Sequence, residues 1–299
     1  MLTVFSIPKP FEGHIGTIQR NAIESWTMLR PKPEIILFGY EPGIEAVAGE
    51  LDTLHISEVA RNQFGTPMVR DLFTKAQEKA SNDILCYVNA DIILMSDFMA
   101  AVKALCEQPE FLMVSRRWNI DVDRRLDFEL PNWEADLKKR IQGDKPQAVY
   151  AIDYFLFTKC LYKEIPDLAI GRMAWDNWLV YHARMSGAPV IDATEVVTIL
   201  HQNHSYDHLR AKSVIDIHKN PEVKQNTKIA GGAEHYFNIS SANWKLSEKG
   251  LMKPGLKDYC SARRIKTFVI MHPHLNFFFK PLWRLYDEVH SWGLSLRRS

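Results

Sequence analysis

The chain has few cysteines, almost no net charge and no long apolar run, and each absence excludes a class of protein. Its four cysteines, Cys86, Cys106, Cys160 and Cys260, show no CxxC pair and no metal-ligand spacing, which argues against a zinc module or a disulfide framework and favours a reducing compartment. The formal net charge of the 299 residues is +1, so no global field attracts nucleic acid. No apolar run reaches the ~18 residues that a membrane span needs.

The N-terminal segment also lacks the pattern of a secretion signal. Residues 1–11 contain no charged region followed by a long apolar stretch, so we expect them to begin with a first strand. Together with the cysteines, this predicts a cytoplasmic protein. The length allows one large α/β domain or two smaller ones.

Apolar runs alternate with helical repeats along the chain. We predict strands at residues 3–7, 34–38, 54–56, 83–88, 111–115, 151–157, 189–193 and 195–201. Helices are predicted at residues 15–29, 44–51, 67–80, 98–106 and 175–185. Strands without polar alternation, separated by helices, predict a mainly parallel sheet covered on both faces. Such sheets bind ligands beyond the carboxyl ends of their strands.

One apolar run stops at Asn89-Ala90-Asp91 and then resumes. A carboxylate at the tip of a buried strand is costly unless something pairs with it. Oxygen ligands suit Mg²⁺ and Mn²⁺, which are commonly held by one or two carboxylates and substrate phosphates. Asp91 is therefore a candidate metal ligand, and Asn89 a candidate contact for a ribose or the ion. The alternative is an ordinary strand-end turn.

Asp176 stands at the start of a predicted helix, between Trp175 and Trp178. Burial beside indole rings would raise the pKa of its carboxyl toward that of a general base. The two rings also suit stacking on a sugar. The alternative is a plain helix-terminal carboxylate, which the helix dipole stabilises by ~0.3–1 kcal/mol.

Five further residues are candidates on chemical grounds. His201 and His204 follow a predicted strand, and a neutral imidazole can complete a Mn²⁺ site; ordinary hydrogen bonding is the alternative. The guanidinium groups of Arg61 and Arg117 suit a diphosphate, unless they are solvated surface groups. Asp153 is either a carboxylate facing the site or one that is buried with a partner.

In this order, the segments resemble a GT-A-type nucleotide-sugar glycosyltransferase, of a bacterial group similar to glycosyltransferase family 2. Residues 5–22 resemble the opening unit of that family, and Asn89-Ala90-Asp91 stands where the family has its Asp-x-Asp metal motif. Residues 151–157 and 174–178 resemble the acceptor-side strand and helix, and residues 201–204 fall where many members place a metal histidine. Two positions depart from the family, because Asn89 replaces an acid and Trp175-Asp176 replaces a Glu-Asp pair.

The resemblance implies a GT-A-like, Rossmann-type mixed sheet, mainly parallel, with helices on both faces. It implies a domain over residues 1–249, with a nucleotide-binding half (1–110) and an acceptor half (111–249), and a helical, aromatic C-terminal extension (250–299). The implied activity is sugar transfer from a nucleotide diphosphate-sugar to an acceptor hydroxyl, metal-dependent and inverting, in surface polysaccharide or glycoconjugate synthesis. Mn²⁺ or Mg²⁺ is the expected cofactor, and a glycan or lipid-linked molecule the expected acceptor.

The implied site follows the matched segments. Asp176 is the expected catalytic base, and Asp91 with His204, or with His201 as its rival, is expected to hold the metal. Trp175 and Trp178 are expected to stack on the sugar or the acceptor. The donor is expected to contact Ile7, Pro8, Arg61, Asn89, Ala90, Asp91, Arg117 and Asp153.

Two other functions fit parts of the sequence. A non-catalytic carbohydrate-binding or scaffold protein would use the two tryptophans without needing Asp91. A sugar-nucleotide nucleotidyltransferase would need a Gly-rich phosphate loop after the first strand, where this chain has Ile7-Pro-Lys-Pro-Phe11. Residues 250–299 are basic and aromatic, which suits contact with the inner face of a membrane, or packing on the domain or on a second subunit.

Overall fold

A computed structural model describes residues 1–204, 218–255, 262–272, 274–275 and 277–279. The chain divides into two compact units, Met1–Lys253 and Pro254–Ser299. All candidate site residues named above belong to the first unit. The boundaries that we predicted at residues 110 and 249 stay predictions.

The first unit alternates strands and helices over most of its length. Its strands are β1 Leu2–Ser6, β2 Glu34–Phe38, β3 Leu54–Ile56, β4 Ile84–Val88, β5 Ile92–Ile93, β6 Leu112–Val114, β7 Trp118–Ile120, β8 Tyr154–Thr158, β9 Val190–Asp192, β10 Leu200–Gln202, β11 Trp244–Ser247 and β12 Gly250–Met252. Its described α-helices are α1 Gly13–Thr27, α2 Ile44–Glu50, α3 Val69–Lys79, α4 Ser96–Leu105, α5 Trp133–Arg140, α6 Trp175–Met185 and α7 Pro221–Ile229. Short 3₁₀ turns lie at Ala233–His235 and Ile239–Ser241.

Nine strands form one mixed sheet in the order β12-β11-β9-β6-β8-β4-β1-β2-β3. The strands β4, β1, β2 and β3 are mutually parallel, as are β11, β9 and β6. Strand β8 runs antiparallel between β4 and β6, and β12 runs antiparallel to β11. The predicted mixed, mainly parallel sheet is therefore confirmed.

Strand β1 shows why the strands read as continuous apolar runs. All five of its residues are buried. Val4 belongs to the same core cluster as Trp26 of α1, while Phe5 packs edge-on against Phe73 of α3 with ring centroids 5.1 Å apart. Because successive side chains of a strand point to opposite faces, helices cover both faces of this sheet.

A second sheet has three short strands in the order β5-β10-β7. Strand β10 runs antiparallel to β5, pairing His201 with Ile92, and parallel to β7. The sequence did not predict this sheet, since β7 and α5 lie between residues 115 and 151, where no strand or helix was predicted. Its strands are too short for a periodic signal, and their pairing is long-range.

The strand predicted at residues 195–201 is shorter in the structure. The observed strand is Leu200–Gln202, because the chain turns first. Thr194 donates from its N–H and its hydroxyl to Asp192 Oδ1, at 2.9 and 2.6 Å. The N–H of Val197 then donates to the carbonyl of Ala193 at 3.0 Å. A side-chain turn of this kind ends a strand whatever the β propensity of the residues that follow.

The second unit is described in pieces. Its helix α8, Ala262–Met271, buries Val269 and leaves Phe268 55% exposed. Residues 280–299, which belong to the segment 250–299 that is expected to contact a membrane or a second subunit, lie outside the described residues. Among the residues that are described, no helix is long and apolar enough to cross a membrane.

Candidate active site

A cavity of about 830 Å³ opens at the carboxyl edge of the parallel strands in the large sheet. Its wall contains residues that follow β1, β2, β4 and β6, and residues that precede the antiparallel β8. All of the predicted site residues line this cavity except Arg61 and Trp178. The topology therefore brings together side chains from positions 7 to 204 of the chain.

Asp91, His201 and His204 form a group of metal-type ligands on this wall. One ligand atom from each lies within 4.8 Å of the others. Asp91 Oδ2 is 3.0 Å from His204 Nε2 and 3.6 Å from His201 Nε2. Asp91 Oδ1 is buried, with no hydrogen-bond partner among the described residues. An unsatisfied carboxylate oxygen beside two imidazoles fits a divalent cation such as Mn²⁺, which accepts both donor types.

The small sheet explains how residues so far apart in sequence meet. Asp91 comes directly before β5, whose first residue, Ile92, pairs with His201 on β10. The N–H of Gln202 donates to the carbonyl of Asp91 at 3.1 Å and continues this ladder. His204 lies just beyond the end of β10, so both predicted histidines reach the same carboxylate.

The charges of Asp91 and His201 are those that metal ligands need. Burial raises the pKa of the Asp91 carboxyl, but the hydrogen bond with His204 and the charges of His201, His204 and Arg117 outweigh it, so the pKa lies below its ordinary value. Burial lowers the pKa of His201, and Asp91 offsets this only in part. At neutral pH the carboxylate is ionised and the His201 imidazole is neutral, as metal binding requires.

Asn89 faces a different set of partners. The hydroxyl of Tyr87 donates to Asn89 Oδ1 at 3.1 Å, and Asn89 Nδ2 donates to Asp153 Oδ1 at 3.0 Å. The same oxygen of Asp153 accepts from Arg117 Nη1 at 2.7 Å. Asp153 is only 7% exposed, so the partnered burial considered from the sequence is present. Within the Asn89-Ala90-Asp91 motif, the Asn89 amide thus binds the carboxylate of Asp153. The Asp91 carboxylate faces the two histidines instead.

Asp176 lies in the first turn of α6 and on the wall of the same cavity. Burial raises the pKa of its carboxyl to about 6; hydrogen bonds from the N–H groups of Asn177 and Asp176 oppose the shift, and the charge of Asp153 adds to it. A helix dipole acting alone would lower this pKa. Ala174, the residue before α6 and two before Asp176, has φ of 83°, a left-handed conformation that is rare outside glycine and is often found at functional sites.

Two predicted residues lie outside the cavity wall. Trp178 is 9% exposed and stacks on His182 with ring centroids 4.8 Å apart. Arg61 pairs with Glu41 at 2.5 Å. Stacking on a sugar by Trp178 and a donor contact by Arg61 stay predictions; Glu41, the partner of Arg61, itself lines the cavity. Trp175 does line the cavity, but it is 6% exposed and therefore offers the cavity little of its ring.

Two cations of the cavity wall were not predicted. Lys9 lies in the loop after β1, where its N–H donates to Gln19 Oε1 at 2.6 Å and its carbonyl accepts from Gln19 Nε2 at 2.9 Å. Arg172 donates to Glu222 Oε2 at 2.7 Å. The two prolines that flank Lys9 end the first strand and were a local signal for a loop at this position. No local pattern marks Arg172, because its partner is 50 residues away.

The protein thus combines a mixed α/β fold with a candidate cation site and a carboxyl of raised pKa, and both line one cavity. No protein-family model matches the sequence, and the comparison with curated proteins gives no match.

Solved structures similar to the chain include glucosyl-3-phosphoglycerate synthase from Mycobacterium tuberculosis with Mn²⁺, UDP and phosphoglyceric acid, at 15% identity and a TM-score of 0.46, over 78% of this chain and 79% of that one. Another is a mannosyltransferase from Pyrobaculum calidifontis with GDP-Man and Mn²⁺, at 12% identity and a TM-score of 0.45, over 75% and 69% of the two chains. So distant a likeness does not fix a function, which depends on the residues of the site.

Proposed function

We propose that the protein is a metal-dependent glycosyltransferase, which moves a sugar from a nucleotide diphosphate-sugar to an acceptor hydroxyl. One observation carries this proposal: the group Asp91, His201 and His204 and the carboxyl of Asp176, with a pKa of about 6, line the same cavity. The group suits a cation that binds a diphosphate. The carboxyl suits removal of a proton from a hydroxyl.

Asp91, His201 and His204 are the proposed cation ligands. A bound Mn²⁺ or Mg²⁺ supplies neutralisation of the negative charge on a leaving diphosphate. The chain's own contribution is to keep Asp91 ionised and to hold the imidazoles beside it. The proposed contacts of the donor are the other predicted residues on this wall, Ile7, Pro8, Asn89, Ala90, Arg117 and Asp153.

Asp176 is the proposed base. Its carboxylate accepts the proton of the acceptor hydroxyl while the hydroxyl oxygen attacks the anomeric carbon on the side opposite the leaving diphosphate, which gives inversion. A pKa of about 6 leaves the group mostly ionised at neutral pH but more basic than an ordinary aspartate. General-base help of this kind contributes ~10²–10⁴-fold to the rate.

The rival functions lack a comparable feature. A carbohydrate-binding protein would present its tryptophans as open platforms, whereas Trp175 and Trp178 are 6% and 9% exposed. A nucleotidyltransferase would need a glycine-rich loop for a triphosphate, and the loop after β1 contains Ile7-Pro-Lys-Pro. We therefore retain one function.

The acceptor and the cellular setting are finer parts of the same proposal. A glycan or lipid-linked hydroxyl compound is the proposed acceptor, in bacterial surface polysaccharide or glycoconjugate synthesis on the cytoplasmic side of a membrane. The basic and aromatic residues 250–299 would supply contact with the membrane surface or with a second copy of the chain.

A binding panel tests the proposal. Thermal melting is recorded with UDP-, GDP-, dTDP- and CMP-linked sugars, each with Mn²⁺ and with EDTA. At about 100-fold above the Kd, a ligand adds about 2.7 kcal/mol of stability, which raises the melting temperature by several degrees. We expect one donor to act in this way, only with Mn²⁺.

Two variants make the panel specific. Asp91→Ala should lose the metal-dependent shift, because it removes the carboxylate that both histidines face. Asp136→Asn, which changes an exposed acid in α5, should respond as the wild type does. A panel without any shift, or an Asp91→Ala protein that responds fully, would contradict the proposal.

A further inference from the structure

The side chain of Gln202 is fully buried and joins the candidate cation group to α1. It lies between His201 and His204 in sequence and is 0% exposed. Its Nε2 donates to the carbonyl of Ile18 at 2.7 Å and to the carbonyl of Asp91 at 3.2 Å. Its Oε1 accepts from the side chain of Asn21 at 3.1 Å. The amide is therefore engaged on both its oxygen and its nitrogen.

Gln202 holds the main chain of Asp91 at two points. The carbonyl of Asp91 accepts from the backbone N–H of Gln202 at 3.1 Å and from its side chain at 3.2 Å. Two donors on one carbonyl restrict the orientation of the peptide that follows Asp91. The carboxylate leaves the same Cα, so its approach to His201 and His204 depends on that peptide.

Asn21 determines which way the Gln202 amide faces. Asn21 Nδ2 donates to Gln202 Oε1 and to the carbonyl of Arg124, and Asn21 Oδ1 accepts from the N–H of Leu126 at 3.0 Å. A carbonyl needs a donor and an N–H needs an acceptor, so only one orientation of Asn21 satisfies both. The NH₂ group of Gln202 is consequently turned toward Asp91.

We propose that Gln202 is a positioning residue of the cation site: acting through the Asp91 carbonyl, it holds the Asp91 carboxylate against His201 and His204. The inference rests on the proposed function, which assigns these three residues to a divalent cation. Outer partners of metal ligands typically change metal affinity by about 10–100-fold. Because the backbone N–H of Gln202 still binds Asp91 when the side chain is replaced, we expect about tenfold, the lower end of that range.

A purely structural role would reduce stability and leave the affinity for the cation unchanged. Gln77 provides the matched control, because its half-buried side-chain amide also makes three hydrogen bonds, in this case all to the main chain, and lies off the cavity wall. Its Nε2 donates to the carbonyls of Phe73 and Tyr162 at 3.3 and 3.0 Å, and its Oε1 accepts from the N–H of Cys160 at 3.0 Å. Gln202→Met and Gln77→Met therefore remove the same number of bonds by the same substitution.

The test is a calorimetric titration of each full-length protein with MnCl₂, with free Mn²⁺ followed by electron paramagnetic resonance. Thermal melting without metal is measured in parallel. We expect Gln202→Met to raise the Mn²⁺ Kd about tenfold, Gln77→Met to change it less than about twofold, and both to lower the melting temperature. Equal affinities of Gln202→Met and the wild type would overturn the inference.

Two further proteins separate the possible failures. If the wild type shows no saturable Mn²⁺ binding that Asp91→Ala removes, the cation site and the inference both fail. If the wild type binds and only Gln202→Met is unaffected, the cation site stands and the inference fails. Should Gln202→Met not fold, Asn21→Ser takes its place, because it removes the donor that orients the Gln202 amide. An Mn²⁺ Kd of Asn21→Ser that is raised about threefold or more would support the inference. An Mn²⁺ Kd equal to that of the wild type would overturn it.

Discussion

Replacing Asp176 by asparagine should stabilise the protein and remove most of its activity. Folding raises the pKa of this carboxyl from 3.8 to about 6. One pKa unit corresponds to 1.36 kcal/mol, so keeping the group ionised in the folded chain costs at most about 3 kcal/mol. The carboxylate borders a water-accessible cavity, where screening reduces that cost, and we expect Asp176→Asn to gain about 1–2 kcal/mol at neutral pH.

The gain should depend on pH with a definite sign. The folded-state pKa lies above the unfolded value, so the folded chain binds this proton more tightly. The stability linked to it is fully present below pH 3.8 and is lost as the pH rises through about 6. Asparagine has no proton to lose. The advantage of Asp176→Asn should therefore be largest above pH 7 and disappear toward pH 3.8.

Thermal melts and kinetics check the two halves of this prediction. A gain of about 1–2 kcal/mol corresponds to roughly 3–6 °C at pH 7.5, and it should shrink to less than half at pH 4.5. With the donor identified by the binding panel, turnover should fall at least ~100-fold while the donor Kd stays within about twofold. In the wild type, kcat/KM should rise with pH through about 6 and then level off.

Asp136→Asn is the matched control, since Asp136 is an exposed acid in the first turn of α5. Its loss should slightly weaken the helix at neutral pH and leave turnover unchanged. If Asp176→Asn melts below the wild type at pH 7.5, or gains equally at both pH values, the assignment of a raised pKa is wrong. If it turns over at the wild-type rate, Asp176 is not the base.

Three further predictions concern the motif, the cation and the first helix. Asn89→Asp should destabilise the chain by about 2 kcal/mol at pH 8 and by less at pH 5, because the new carboxylate would replace a donor that lies 3.0 Å from Asp153 Oδ1; urea unfolding that gives wild-type stability at pH 8 would exclude this. Mn²⁺ should bind more tightly than Mg²⁺, since two of the three candidate ligands are imidazoles; a calorimetric titration with both ions that reverses the order would argue against the histidines as ligands. Gly16→Ala should destabilise the chain despite a helix-propensity gain of about 1 kcal/mol, because the added Cβ would meet the Phe11 carbonyl carbon at 2.6 Å. Gly49→Ala in α2, where nothing lies within 4 Å of the added Cβ, should stabilise the chain. Chemical-denaturation midpoints of the two variants that equal that of the wild type would contradict both expectations.

Local signals were sufficient for most elements that build the large sheet. The predicted bounds of β2, β3 and α6 match those of the structure, at Glu34–Phe38, Leu54–Ile56 and Trp175–Met185. Each has a clear apolar pattern and a Gly, Pro or polar boundary. The antiparallel insertion of β8 Tyr154–Thr158 was not predictable in this way. A strand buried on both faces has the same apolar pattern whichever way its neighbours run.

The site shows the same division between local and long-range information. Asp91 and Asp176 could be found from the sequence because each interrupts or begins an apolar element. Gln202 could not, because its partners Ile18 and Asn21 are 184 and 181 residues away. Sequence patterns reveal a charged group that burial makes costly, and the neutral amides that orient it leave no comparable trace.

The asparagine in the Asn89-Ala90-Asp91 motif is consistent with the rest of the cavity. A second acid at position 89 would stand beside Asp153, which already supplies a carboxylate and is matched by one guanidinium, that of Arg117. The amide donates to Asp153 where an acid would repel it. The candidate cation group does not need an acid at position 89, because His201 on β10 and His204 just beyond it lie beside Asp91. The surroundings of position 89 therefore favour an amide over an acid, because Asp153 already carries a negative charge there and the candidate cation ligands lie on the other side of the motif, at Asp91.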